Sequence, residues 1–252
     1  MSSDRAHLIV EWLRDRAQDA GAHGYVIGLS GGIDSAVVAR LCQMATPNRV
    51  LGVILPCYSH VQDEADALLL AKTFGIPTAR VDLSPTFDTL TGELHGAVKG
   101  LPQSVHVTDI KQQMPEANIK PRLRMTSLYF IANSLNYLVA GTGNRCELSI
   151  GYFTKYGDGG SDVLPIGNLL KSEVRAFAQQ LGVPAPIIDK APSAGLWIGQ
   201  TDEAEMGFSY DMLESYLTSG ASAVPADVAK RIESLHNGSA HKRKIAPIPH
   251  DL

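Results

Sequence analysis

The apolar run Tyr25–Val26–Ile27–Gly28–Leu29 meets Ser30–Gly31–Gly32–Ile33–Asp34–Ser35 and passes straight into Ala36, Val37, Val38, Ala39 and Leu41. That order predicts a buried strand, a glycine turn and a helix start. Two more apolar runs, Val50–Leu55 and Thr78–Leu83, flank a helical segment from Gln62 to Phe74 closed by Gly75 and Pro77. The first third therefore reads β-α-β-α-β. This pattern leads to an α/β fold, a doubly wound, Rossmann-like parallel sheet with helices on both faces. Ligands of such sheets sit beyond the carboxyl ends of the strands, where Ser30–Ser35 lies.

The turn has a chemistry of its own. Free N–H groups and the positive end of a helix dipole converge there, so it suits phosphate. Two glycines let the backbone approach an anion, and Ser30 and Ser35 add hydroxyls. Asp34 makes sense beside phosphate only with a divalent cation between them. A Walker P-loop and a Gly-x-Gly-x-x-Gly fingerprint are both excluded by the spacing. The plain alternative is a tight turn with an Asp/Ser helix cap. The loop resembles the pyrophosphate-binding loop of the ATP pyrophosphatase superfamily, whose fold is of the adenine nucleotide alpha hydrolase type.

Length and charge narrow the classes further. The 252 residues suit one large α/β domain, and the net charge of −4 offers no global field for nucleic acid. Cys42, Cys57 and Cys146 form no Cys-x-x-Cys pair and no disulfide framework, which points to a reducing, cytoplasmic setting. There is no apolar signal core near Met1 and no membrane-length apolar run.

Along the rest of the chain, residues 7–20 predict an amphipathic first helix and 96–117 a mobile loop. A helix starts at Pro121, with Leu123, Ser127, Phe130 or Ile131, Leu135 and Leu138 as its stripe. A fourth strand covers 138–141. After a Gly- and Asp-rich loop, 151–167, Asn168 is placed to cap a helix ending at Gly182. A Pro/Gly loop over 184–200 follows, then helices near 209–218 and 225–236 and a basic tail.

The fourth strand also opens at the carboxyl edge, into Thr142–Gly143–Asn144–Arg145–Cys146–Glu147. Glu147 could be a second carboxylate on the cation held by Asp34, since magnesium takes one or two carboxylates plus phosphate oxygens. A solvated Glu at a helix start is the alternative. Lys171 falls early in a helix, where a cation opposes the dipole, so an anion partner is expected. Trp197 reads as a core or loop anchor and the cysteines as packing residues.

The segments Gly151–Tyr152–Phe153–Thr154–Lys155–Tyr156–Gly157–Asp158–Gly159–Gly160 and Pro192–Ser193–Ala194–Gly195–Leu196–Trp197, with Ser30–Ser35 upstream, closely resemble the ammonia-dependent NAD synthetases. The likeness is densest over 141–205 and extends across nearly the whole chain, Asn118–Met125 included. It implies ATP-dependent amidation of deamido-NAD by ammonia through an NAD-adenylate, giving NAD, AMP and pyrophosphate. By the same resemblance, Gly28, Leu29, Ser30, Gly31, Gly32, Ile33, Asp34, Ser35, Thr142, Lys171 and Ser193 bind ATP. Asp34 and Glu147 hold Mg2+, and Arg122, Lys155, Asp162, His241 and Lys242 bind deamido-NAD. Asp34, Glu147, Lys171 and Asp162 are the catalytic candidates, Asp162 being also a candidate proton acceptor. Arg122 and Lys155 suit a ligand with two phosphates and a carboxylate. A solvated helix start is the alternative for Arg122, and a disordered tail for His241–Lys242.

Ser193 stands where some members have Thr. Ile198 replaces a common Pro and Cys57 an aromatic. The synthetase domain is expected to occupy residues 1–252 without a glutaminase domain, and no cysteine has the base a glutaminase needs. The resemblance also implies a homodimer, built on the helix from Pro121 to about Tyr137. Other amidating or thiolating pyrophosphatases and a non-catalytic nucleotide-binding module are the rival readings. Neither a nucleic acid nor a membrane is an expected partner.

Overall fold

The computed structural model describes residues 2–102, 104–105, 113–193, 195 and 200–249. Strands β1 (Tyr25–Gly28), β2 (Val50–Ile54), β3 (Thr78–Arg80) and β4 (Leu138–Val139) form one parallel sheet in the order β3-β2-β1-β4. Its register sets Tyr25 beside Val50 and Leu138, and Gly52 beside Thr78. A parallel bridge between Ala140 and Val163 extends the β4 edge. The helices are α1 (Ser2–Asp19), α2 (Ile33–Ala45), α3 (Val61–Phe74), α4 (Ser84–Lys99), α5 (Gln113–Ala117), α6 (Ile119–Leu135), α7 (Arg145–Ile150), α8 (Lys171–Gln180), α9 (Ala185–Ile188), α10 (Asp202–Met206), α11 (Tyr210–Ser219) and α12 (Ala226–Gly238).

The period of two along β1 divides the core. Tyr25 and Ile27 face one layer, where Leu13, Val37, Leu41, Leu70, Val174 and Ile187 pack. Val26 faces the other, with Val53, Leu83, Ala132 and Val139. Each fully buried aliphatic side chain is worth about 1.5–3 kcal/mol. The Tyr25 hydroxyl donates to the Leu13 carbonyl at 2.5 Å, so its burial leaves no polar group unpaired. A third cluster joins α7, α10, α11 and α12 through Cys146, Met206, Phe208, Leu213 and Ile232. It brings the C-terminal third against the carboxyl edge of the sheet.

Several boundaries differ from expectation. Residues 84–99 are the helix α4, so the mobile-loop reading of 96–117 fails at its start, and α5 occupies its end. Leu170, not Asn168, caps α8, and the Glu173 carboxylate accepts from the Leu170 N–H at 2.8 Å. β3 stops at Arg80, β4 is two residues long, and α9 and a short 3-10 turn, Ala240–Lys242, occupy stretches read as loop and tail. In the stripe predicted for α6, Phe130 is 75% exposed, whereas Leu123, Leu128, Tyr129 and Ile131 pack on the sheet. Trp197 and Ile198 lie outside the described residues.

Candidate functional site at the carboxyl edge

The segment after β1 folds as the glycines dictate. Gly31 has φ +74°, and a Cβ there would lie 2.3 Å from the Asp63 carbonyl, so a side chain is excluded by both strain and contact. The Ser30 and Ser35 hydroxyls lie 3.1 Å apart, and Ser35 Oγ donates to the Gly32 carbonyl at 2.9 Å. Gly32 caps α2 without any side-chain hydrogen bond. The first-turn amides of α2 thus lack a side-chain cap, the arrangement that binds anions.

Asp34, in that first turn, is grasped from two sides. Lys171 Nζ pairs with its Oδ2, and Asn144 Nδ2 donates to its Oδ1 at 3.1 Å. The Lys171 side chain is 4% exposed and that of Asp34 18%. Burial pushes the Lys171 ammonium down, but Asp34 and then Glu147 outweigh it and hold it protonated. Asn144 also caps α7. Its Oδ1 accepts from the Glu147 N–H and the Glu147 carboxylate accepts from the Asn144 N–H, both at 3.1 Å. Burial first, and the nearby Asp34 charge second, raise the Glu147 carboxyl well above the usual carboxylate range. Sequence reasoning missed Asn144, although Asn-x-x-Glu before an apolar run is a readable capping box.

The residues assigned to the second substrate also meet. Arg122 Nε donates to the Lys155 carbonyl at 3.4 Å, and Lys155 Nζ to the His241 carbonyl at 2.8 Å. Lys242 Nζ donates to the Gly151 and Phe153 carbonyls at 2.8 and 2.7 Å. The disordered-tail alternative fails for this pair, because the tail is clamped to the 151–155 loop. Asp162 accepts from the Val139 N–H at 2.7 Å and the Tyr129 hydroxyl at 3.0 Å, one on each carboxylate oxygen. Thr142 is half-buried just past β4, whereas Ser193 is exposed, its hydroxyl accepting from the Gly195 N–H at 3.1 Å. The structure does not bring Ser193 into hydrogen-bond contact with Ser30–Ser35.

Other groups at this edge carried no sequence signal. Lys190 Nζ donates to Asp63 and Asp66 at 2.7 Å each. Asp202 and Tyr210 lie beside Lys171, whose Nζ is 5.3 Å from the Tyr210 ring centre. All three cysteines are buried. Burial raises the Cys42, Cys57 and Cys146 thiols, that of Cys146 to about 12, so none is prepared as a nucleophile.

No group of three or more metal-ligating side chains occurs among the described residues. Asp34 and Glu147 nevertheless fit magnesium: two carboxylates sharing one paired ammonium leave negative charge uncompensated, and phosphate oxygens would complete the shell. No helix among the described residues is long and apolar enough to cross a membrane.

Comparison with known proteins accords with this geometry. The sequence profile of NAD synthase matches residues 6–246. The NH3-dependent NAD+ synthetase of Carboxydothermus hydrogenoformans is 49% identical over 98% of this chain and 97% of its own length. Among solved structures, the NMN synthetase of Francisella tularensis superposes with a TM-score of 0.90 at 40% identity, covering 100% of this chain and 99% of its own. The NH3-dependent NAD synthetase of Campylobacter jejuni superposes with a TM-score of 0.79 at 25% identity, covering 99% of each chain.

Proposed function

The chain belongs to the NAD synthase family, and we propose that it amidates deamido-NAD with ammonia through an adenylate. NH3-dependent synthesis of NAD is the activity that the relatives' names carry. The observation that carries the residue assignment is the grip of Lys171 and Asn144 on Asp34, at the mouth of an uncapped helix.

The α2 amides and the Ser30 and Ser35 hydroxyls hold the ATP phosphates. Lys171 turns its ammonium to the same anion and offsets the charge that grows as the α-phosphorus is attacked. Asp34 and Glu147 would hold magnesium, which neutralises charge on the phosphates. Arg122, Lys155, His241 and Lys242 position the acid substrate, and its carboxylate oxygen displaces pyrophosphate. Ammonia then adds to the activated carbonyl and AMP leaves. No side chain is acylated; the enzyme acts by positioning and charge stabilisation. Residues 6–246 are the part that the family profile matches, and free ammonia is the nitrogen source in this reading. Pairing of two copies through α6 belongs to the same reading, because Phe130 leaves an apolar side chain exposed on that helix.

One observation favours a second substrate. The Francisella structure, with a TM-score of 0.90, is an NMN synthetase, so nicotinate mononucleotide competes with deamido-NAD as the acid. Supplying each acid with ATP, magnesium and ammonium, and comparing kcat/KM for NAD and NMN formation, separates the two. Carboxylate labelled with 18O should leave one labelled oxygen in AMP. Release of ADP, or of unlabelled AMP, would overturn the adenylate route.

A further inference from the structure

Asp202 opens α10 yet does not cap it: the Thr201 hydroxyl takes the Ala204 N–H. The residue is 4% exposed. Its Oδ2 accepts from the Tyr210 hydroxyl at 2.8 Å, while its Oδ1 is buried with no hydrogen-bond partner. Glu205, one turn on, is better served. Tyr152 O–H and Gln200 Nε2 both donate to its Oε2 at 2.7 Å. The Tyr152 phenol is also shared, through a weaker hydrogen bond, with Asp202.

The protons at this place are therefore already committed. Tyr210 has given its only one to Asp202, and Tyr152 shares its only one between Glu205 and Asp202, so both phenol oxygens retain lone pairs alone. The nearest ammonium, Lys171, is engaged by Asp34. What remains is a set of acceptors around a buried, half-satisfied carboxylate. Leaving such a group unpaired is costly. The complementary guest is small, cationic and composed only of donors. Ammonium meets that description with four N–H groups and no acceptor; water, carrying two lone pairs, meets it less well.

We propose that Asp202, with the Tyr152 and Tyr210 phenol oxygens, forms a binding subsite for the ammonium ion beside Lys171. The inference rests on the reading of the chain as an ammonia-dependent synthetase. It adds the group that captures the nitrogen donor, in contact with Tyr210 and so one ring away from the phosphate-facing ammonium.

Steady-state kinetics on the full chain tests it. Asp202→Asn keeps an acceptor for Tyr210 but removes the charge. It should raise the KM for ammonium about tenfold while the KM for ATP moves less than about twofold, below 0.5 kcal/mol. Tyr152→Phe keeps the ring and removes one acceptor, and should raise the ammonium KM by a smaller factor of about three. Hydroxylamine, a neutral nucleophile at pH 7.5, supplies the control: both variants should shift product from amide toward hydroxamate when the two nucleophiles compete. An unchanged ammonium KM in both variants, or an equal rise in the KM for ATP, would overturn the subsite. A parent enzyme without ammonium-dependent product would instead overturn the functional reading beneath it.

Discussion

Two lysines hold aspartates next to the phosphate loop, and they differ in kind. Lys190 meets two carboxylates, Asp63 and Asp66, and a further hydrogen bond from Gln62 reaches Asp66 at 2.8 Å. That cluster stays partly open to solvent, so the contact is a fastener: it ties the segment leading to Ser193 to the first turn of α3, whose Asp63 carbonyl backs Gly31. Lys171 is 3% exposed and pairs with Asp34, but Glu147 and Asp202 also act on it. One cation faces three carboxylates. A buried group of that kind is not satisfied by the protein alone, and its deficit is the opening that ligands fill. A partly solvated cluster marks construction; a buried one with surplus negative charge marks use.

The largest expected effect is at Lys171. Lys171→Met should lower kcat/KM by about 10²–10³-fold, with little change in the acid-substrate KM. Activity within a few fold of the parent would place both lysines in the same class.

Glu147→Gln comes next and separates activity from stability. Gln can still accept from the Asn144 N–H, so the cap of α7 survives. Activity should fall by about 10²-fold if the carboxylate serves a metal. The ligand-free fold should gain stability. The sign follows from the raised Glu147 carboxyl: its stability contribution is full below the ordinary carboxylate range and is lost as pH rises through the folded-state value. The variant's advantage in Tm should therefore grow from pH 5 to pH 8. A variant that melts lower than the parent at pH 8 would show that Glu147 fastens the fold, as the Lys190 cluster does.

Lys190→Met gives the smallest catalytic effect and the reverse stability sign. A loss of about 1 kcal/mol is expected at pH 7, with the KM for ATP raised more than kcat is lowered and with rescue by Lys190→Arg. Burial pushes Asp66 up, but hydrogen bonds from Lys190 and Gln62 outweigh it and leave its carboxyl below the usual value. Stability from that group is present above the ordinary carboxylate range and lost as pH falls through its folded value. The gap between parent and variant should thus close in acid. A gap that persists below pH 3 would break the assignment.

Sequence legibility follows the range of each contact. The phosphate loop was readable because strand, glycines and helix are contiguous, and α2 begins directly after the glycines, as its pattern predicts. The helix α4 could have been found: Pro85 follows Ser84, and Leu83, Phe87, Leu90 and Leu94 fall at helical spacing. The meeting of Lys171 with Asp34 crosses 137 residues, so local pattern supplies the residue types but not the pair. Asp202 is harder still. An acidic residue in the first turn of a helix looks like an ordinary dipole partner, and only its burial with one oxygen left unpaired sets it apart.

Asn144 has one more consequence, for how such a sequence can drift. At most helix starts Ser, Thr, Asp and Asn replace one another at little cost. Here the amide is used at both ends: oxygen to the Glu147 N–H, nitrogen to Asp34. Aspartate would keep the cap but add a fourth carboxylate to Asp34, Glu147 and Asp202, and serine would keep the cap but fall short of Asp34. A position that tolerates four residues elsewhere is narrowed to one by the direction of a single dipole. The narrowing comes not from the helix it begins but from a carboxylate 110 residues earlier in the chain.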